Sequence, residues 1–174
     1  MKALVTGGSG FIGRHLVGRL LETGWDVVSI DLIHNPISDD RLTSVIANVT
    51  DTEKLIPFGE GCDAIFHLAA NTDVLSEGLS QREYERTFLT TKSVLECAGT
   101  NNIKKLFFAS SSAIYGNRDG LLREDMGELC PVSYYGAYKL SSESLIKAHS
   151  TIHEIDSLVF RLPNIVGPNM THGF

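Results

Sequence analysis

Residues 6–13 read TGGSGFIG, three glycines spaced three apart, directly after the apolar run Ala3-Leu4-Val5 and before an amphipathic stretch. A strand, then Gly7-x-x-Gly10-x-x-Gly13, then a helix is the context in which a glycine motif binds a dinucleotide phosphate. Gly7 lets the chain turn sharply, Gly10 lets backbone N–H groups approach a pyrophosphate, and Gly13 lets the helix pack closely on the strand. The positive end of the helix dipole then faces the phosphates. A tight glycine turn without a ligand is the plainer alternative, and the rest of the chain decides between the two.

Outward from this turn, apolar runs alternate with amphipathic stretches. The pattern predicts strands over 2–5, 26–30, a short one ending near Ala47, 63–68, 105–109 and 157–161. It predicts helices over 11–23, 81–99 and 132–150, with a brief one capped by Asp51 or Thr52. Strands separated by helices imply an α/β fold, a Rossmann-type doubly wound parallel sheet with helices on both faces. The 174 residues, 43% of them hydrophobic, suit one domain over 1–174.

Fifteen basic residues against 21 acidic give a net charge of −6, without a basic run, so a nucleic-acid partner is not expected. No apolar segment approaches the roughly 20 residues that span a bilayer, and no charged leader opens the chain, so no membrane association and a cytoplasmic location are expected. Cys62, Cys97 and Cys130 are too few and scattered for a disulfide framework and read as reduced thiols, the first two in the core. No H-E-x-x-H arrangement is present, and no metal site is expected.

Three further features carry chemistry. The second strand closes on Asp31, eighteen residues beyond Gly13, near the distance at which a carboxylate accepts hydrogen bonds from an adenosine ribose. A carboxylate there repels a 2′-phosphate, which favours NAD over NADP. In YGAYK, residues 135–139, the Tyr135 phenol and the Lys139 ammonium lie one helical turn apart. A nearby cation favours phenolate, so Lys139 is expected to lower the Tyr135 pKa and make it a general acid/base. Ser110, Ser111 and Ser112 follow the fifth strand at the carboxyl edge of the sheet, in place to hydrogen-bond a substrate oxygen. Each feature alone is more often a solvated helix face or a turn; their order after a dinucleotide turn reverses that reading.

With these motifs together the chain resembles the NAD-dependent epimerase/dehydratase family of the extended short-chain dehydrogenase/reductase superfamily. The resemblance runs along the whole chain: TGGSGFIG at 6–13, Asp31-Leu32, HLAA at 67–70, SSSAIYG at 110–116, YGAYK at 135–139 and RLPNIVGP at 161–168. It implies that Gly7, Gly10, Phe11, Ile12 and Gly13 line the pyrophosphate of NAD. Asp31 would hold the adenosine ribose, Asn48 and Val49 would lie at the adenine, and Leu68, Ala69 and Ala70 would run beside the cofactor. Counting four residues back from Tyr115 selects Ser111 as the family's catalytic Ser/Thr. Ser112 and Asn164 match positions near substrate. The implied reaction has Tyr135 take a proton from a sugar hydroxyl as hydride leaves the same carbon, with Ser111 on the oxygen and Lys139 on the nicotinamide ribose. An epimerase returns hydride to the other face of the keto sugar. The implied substrate is a nucleotide sugar or small sugar, and the implied assembly is a homodimer through the helices near 81–99 and 132–150.

Departures narrow this. The family's dehydratases carry an Asp-Glu pair where Ser112-Ala113 stand, so dehydration is disfavoured; its fucose-forming reductases carry cysteine at position 113, so that branch is disfavoured too. Thr87 and Thr90 replace a familiar Asn and Gly, and Asn48 replaces an Asp. Relatives usually continue well past the Gly-Pro motif, so most of the substrate-binding part is expected to be missing from a chain that ends at Phe174. A sugar or alcohol dehydrogenase, or a non-catalytic NAD-binding module, remains the alternative to an epimerase.

Overall fold

The structure, a computed structural model, describes residues 1–71, 80–168 and 170. Six parallel strands form one sheet: β1 (Lys2–Thr6), β2 (Asp26–Asp31), β3 (Leu42–Ile46), β4 (Ala64–His67), β5 (Lys105–Ser111) and β6 (Asp156–Leu162), in the order β3-β2-β1-β4-β5-β6. Chain direction across the sheet reverses between β1 and β4, and crevices at such switch points, outside the carboxyl ends of the strands, are where these sheets bind ligands. The glycine turn leaves β1 at that edge.

Ala3, Leu4 and Val5 are fully buried, as befits a central parallel strand covered on both faces. One face packs α2 (Thr52–Leu55), α4 (Thr90–Thr100) and α5 (Tyr134–His153) over Leu4, Ile30, Ile65, Leu106 and Phe108. The other packs α1 (Phe11–Glu22) over Ala3, Val5 and Val27 through Val17, Leu20 and Leu21. Cys62 and Cys97 are buried in the first core and Cys130 is exposed, all three as free thiols.

The expected helix over 81–99 differs from the one observed. It runs as α3 (Ser80–Glu83), a wide π turn (Tyr84–Leu89) and α4. Threonines supply a physical reason, because Thr90 Oγ1 donates to the carbonyls of Arg86 and Thr87, and Thr91 Oγ1 donates to that of Thr87. Hydroxyls bonded to these carbonyls compete with the regular backbone ladder. Helix α5 starts at Tyr134 because Ser133 Oγ accepts the Gly136 N–H, a side-chain cap.

Candidate functional site

At the switch point, a cleft of about 960 Å³ opens along the carboxyl edge of the sheet. It brings together every expected site residue: Gly7, Gly10, Phe11, Ile12 and Gly13 from the turn, Asp31 from β2, Asn48 and Val49 after β3, Leu68, Ala69 and Ala70 after β4, Ser111 and Ser112 at the end of β5, Tyr135 and Lys139 on α5, and Asn164 after β6. Sequence reasoning missed Arg86 and Thr90 on its wall. Their signal was the polar stretch around the π turn, which looked like an ordinary amphipathic helix.

The turn is built by steric exclusion. Gly7 has φ +72°, and a Cβ there would sit 2.7 Å from the Ala69 nitrogen. A Cβ on Gly13 would sit 2.1 Å from the Gly7 carbonyl oxygen, so helix and turn close only on glycine. Gly10 differs, since its Cβ would meet only the Gly7 oxygen at 3.3 Å. Its bare backbone faces the cleft, and as N-cap of α1 it gives no side-chain hydrogen bond to the first helical turn. The first N–H groups of a helix without a side-chain cap are donors for an anion. On β2, the Asp31 carboxylate is fixed by the N–H groups of Ser9 (2.9 Å) and Leu32 (2.7 Å). An open helix start and a fixed carboxylate on one cleft fit a dinucleotide with free ribose hydroxyls. Asn48 Oδ1 accepts the Thr50 N–H at 3.1 Å.

At the other end lies the polar set. Ser111 Oγ accepts the Ala113 N–H at 3.1 Å, starting a short 3₁₀ turn (Ser112–Tyr115) that turns the chain away from the cleft. Lys139 is buried; its Nζ donates to the Ala109 carbonyl at 2.5 Å and lies 4.7 Å from the Phe108 ring centre. Burial lowers the ammonium to about 7, while the carboxylates of Glu83 and Glu143 pull it back up. For Tyr135 the expected direction is reversed. Burial raises its phenol above the ordinary value, a hydrogen bond with Ser111 opposes that, and Glu83 adds to it. The physical reason is where Lys139 points: its Nζ is tied to Ala109 and stands 5.8 Å from the centre of the Tyr135 ring, and desolvation weakens its charge.

Beside this set, His67 is fully buried, with Nδ1 2.7 Å from Thr6 Oγ1 and Nε2 3.0 Å from Thr91 Oγ1. Burial, and secondarily Lys139, lowers it to about 3, so it is neutral. The Thr91 hydroxyl already donates to the Thr87 carbonyl, which assigns the imidazole proton to Nε2. His67 thus ties the strand ahead of the glycine turn to α4. His149 and His153, an H-x-x-x-H pair that the expectation of no metal site overlooked, have ring centres 4.1 Å apart on α5. Among the described residues no group of three or more metal-donor side chains forms. Nor is any described helix long and apolar enough to cross a membrane.

Fold and cleft define a Rossmann-type protein of the dinucleotide-binding class. Residues 3–174 match the model of the NAD-dependent epimerase/dehydratase family, and the chain belongs to that family. A D-erythronate dehydrogenase of Haemophilus influenzae is 37% identical, the alignment covering 95% of this chain and 55% of the relative. An uncharacterised UDP-glucose epimerase of Bacillus subtilis is 33% identical over 97% of this chain and 58% of its own length. Among solved structures, a UDP-galactose 4-epimerase superposes with a TM-score of 0.90 at 32% identity, over 99% of this chain and 59% of its own. A UDP-glucuronic acid 4-epimerase from Bacillus cereus, solved in complex with NAD, gives 0.85 at 30% identity, over 98% and 58%. The chain therefore spans a little over half the length of these relatives.

Proposed function

We propose that residues 1–174 form the NAD-binding and catalytic half of an enzyme that epimerises a nucleotide sugar through a transient keto intermediate. The observation that carries this reading is the convergence of the glycine turn, Asp31, Ser111, Tyr135 and Lys139 on one cleft. In this reading Gly10 and the start of α1 take the pyrophosphate, Phe11 and Ile12 flank it, Asp31 takes the adenosine ribose, and Asn48 and Val49 take the adenine. Leu68, Ala69 and Ala70 wall the nicotinamide half. Bound NAD supplies the acceptor, and then the donor, of hydride.

Tyr135 moves the proton of the reacting hydroxyl. As phenolate it takes that proton as hydride leaves the same carbon and returns it to the keto oxygen when hydride comes back, with Ser111 on the same oxygen; burial, which raises the phenol, works against the phenolate form. Lys139, as ammonium, binds a ribose hydroxyl. Ser112 and Asn164 line the sugar end of the cleft, and the remainder of the sugar-nucleotide site lies in a portion beyond these residues. Ala113 stands where a dehydratase needs a proton donor and has none to give. A second reading, net oxidation of a sugar or hydroxy acid, is favoured by the 37% identity to a dehydrogenase. We also propose pairing of two copies through α3–α4 and α5, supported by the half-buried cluster of Tyr84, Phe88 and Tyr138 shared by those helices.

Calorimetric titration of the chain with NAD and with NADP tests the core of this reading. Saturable NAD binding, with NADP at least about tenfold weaker because Asp31 repels its extra phosphate, is the expected result; no binding of either overturns it. Product analysis separates the two reactions, isomerised sugar without net NADH meaning epimerisation and NADH in proportion to substrate meaning oxidation.

A further inference from the structure

The glycine turn is held from behind by a side chain that the chemistry above does not use. The Gly10 N–H donates to the Gly7 carbonyl at 3.2 Å, which closes residues 7–10 into a four-residue turn with the Gly8–Ser9 peptide at its centre. That peptide is bonded at both ends. Its carbonyl, on Gly8, accepts from Asn35 Nδ2 at 2.8 Å, and its N–H, on Ser9, donates to Asp31 Oδ2 at 2.9 Å.

Asn35 comes from the connection between β2 and β3 and has no exposed surface. Both ends of its amide are engaged. Oδ1 accepts the Ile37 N–H at 3.1 Å, which fixes which end of the amide faces the turn, and Nδ2 also donates to Ser29 Oγ of β2 at 3.1 Å. Its backbone N–H donates to Ser44 Oγ of β3 at 2.9 Å, so the strands on which the connection starts and ends both hold it. The surrounding stretch, IHNPISDD at 33–40, reads as a polar connection and marks no position as special.

Turns of types I and II differ by rotation of the central peptide through roughly half a turn, and type II needs a positive φ at the third residue, which Ser9 does not have. Rotating the Gly8–Ser9 peptide would take the Gly8 carbonyl off Asn35 and aim it to the opposite side, where Gly7 and Gly10 line the cleft. The same rotation would withdraw the Ser9 N–H from Asp31. An N–H group attracts a phosphate and a carbonyl oxygen repels it.

We propose that Asn35 is a positioning residue of the cofactor site: through the Gly8 carbonyl, with Asp31 on the other end of the same peptide, it keeps that carbonyl turned away from the phosphates. This rests on the assignment of the pyrophosphate to this turn under the proposed function. The bond also steadies Asp31, whose carboxylate loses the Ser9 N–H when the peptide turns. Asn35 thus sets the phosphate and ribose contacts together without touching NAD.

The variant Asn35→Asp keeps the size of the side chain and an acceptor for the Ile37 N–H, but sets a carboxylate oxygen against the Gly8 carbonyl. Amide hydrogen exchange followed by NMR reads the turn directly. The Ser9 amide is expected to exchange at least about tenfold faster in the variant, while the amides of β1 and β2 keep their rates. Calorimetry is expected to show NAD affinity at least about tenfold lower. A purely structural role predicts faster exchange across β1, β2 and the turn together, because a less stable fold opens as a whole. That result, an unchanged Ser9 amide, or a freed Ser9 amide with undiminished NAD affinity, overturns the proposal. Where Asn35→Asp does not fold, Asn35→Ala carries the same test, since the unbonded Gly8 carbonyl still turns towards water. Exchange needs no cofactor, so an unaltered chain that binds no NAD sinks the proposed function and leaves the Ser9 amide to decide the role of Asn35. Equal NAD binding by the unaltered chain and the variant sinks the role of Asn35 alone.

Discussion

Burial holds the Lys139 ammonium down to about 7 in the fold, against the ordinary 10.5 of a solvated lysine. Between those values the unfolded chain binds a proton that the folded chain lacks, so folding stability rises with pH across that window. Below about 7 both states carry the proton and the burial penalty is fully present. In the proposed function this ammonium, stripped of its hydration, binds a ribose hydroxyl. Lys139→Met has no proton to lose there. Thermal melts at pH 7 and pH 9 are expected to show the unaltered chain gaining stability at the higher pH and Lys139→Met gaining measurably less. Equal gains would mean that Lys139 is hydrated in the folded state. The same substitution is expected to remove catalysis, so stability and activity part company at this residue.

At the scale of elements, the turn between β1 and α1 makes different demands on its glycines. Gly7→Ala and Gly13→Ala drive a methyl group into backbone and are expected to destabilise the fold by roughly 2–4 kcal/mol. Gly10→Ala meets only the Gly7 oxygen at 3.3 Å, so it is expected to cost less than about 1 kcal/mol while placing a methyl group at the proposed pyrophosphate site. Denaturant melts paired with NAD titration check this: Gly10→Ala keeps its midpoint and loses at least about tenfold in affinity, whereas wild-type NAD affinity in Gly10→Ala would remove the pyrophosphate from this turn. The strands and helices around the turn were legible because each is a long apolar or amphipathic run bounded by glycine or a cap, and all six strands fall where the pattern puts them. The π turn at Tyr84–Leu89 was not, because one extra residue per turn leaves the apolar spacing of Thr91, Leu95 and Ala98 intact. The Tyr135–Lys139 spacing was legible and its electrostatics were not: spacing puts the two side chains on one face, but only the fold tells that Lys139 Nζ bonds the Ala109 carbonyl. Glu83 was hidden for a similar reason, since nothing local distinguishes a buried glutamate from the exposed Glu85 two residues on.

For the whole molecule, two apolar surfaces of different character bear on association. On the α1 side of the sheet, Phe66 of β4 stacks on Phe107 of β5 at 4.6 Å, and Phe107 pairs in register with Leu158 of β6. Leu158 and Phe160 are 50% and 45% exposed on that strand. A contiguous apolar strip along a sheet edge invites contacts of no fixed geometry. On the helical side, Tyr84, Phe88 and Tyr138 interleave between the π turn and α5, a rigid aromatic set suited to a two-fold contact between copies. The two surfaces predict different behaviour in sedimentation velocity at micromolar concentration. The unaltered chain is expected to show a dimer plus a concentration-dependent tail of larger species. Leu158→Lys with Phe160→Lys is expected to remove the tail and leave the dimer, because charge on the exposed face of the edge strand blocks open-ended stacking and leaves the helices untouched. Tyr138→Ala with Phe88→Ala is expected to do the reverse. A monomer that persists in the lysine variant would locate all self-association at the sheet edge and exclude helix-mediated pairing for these 174 residues.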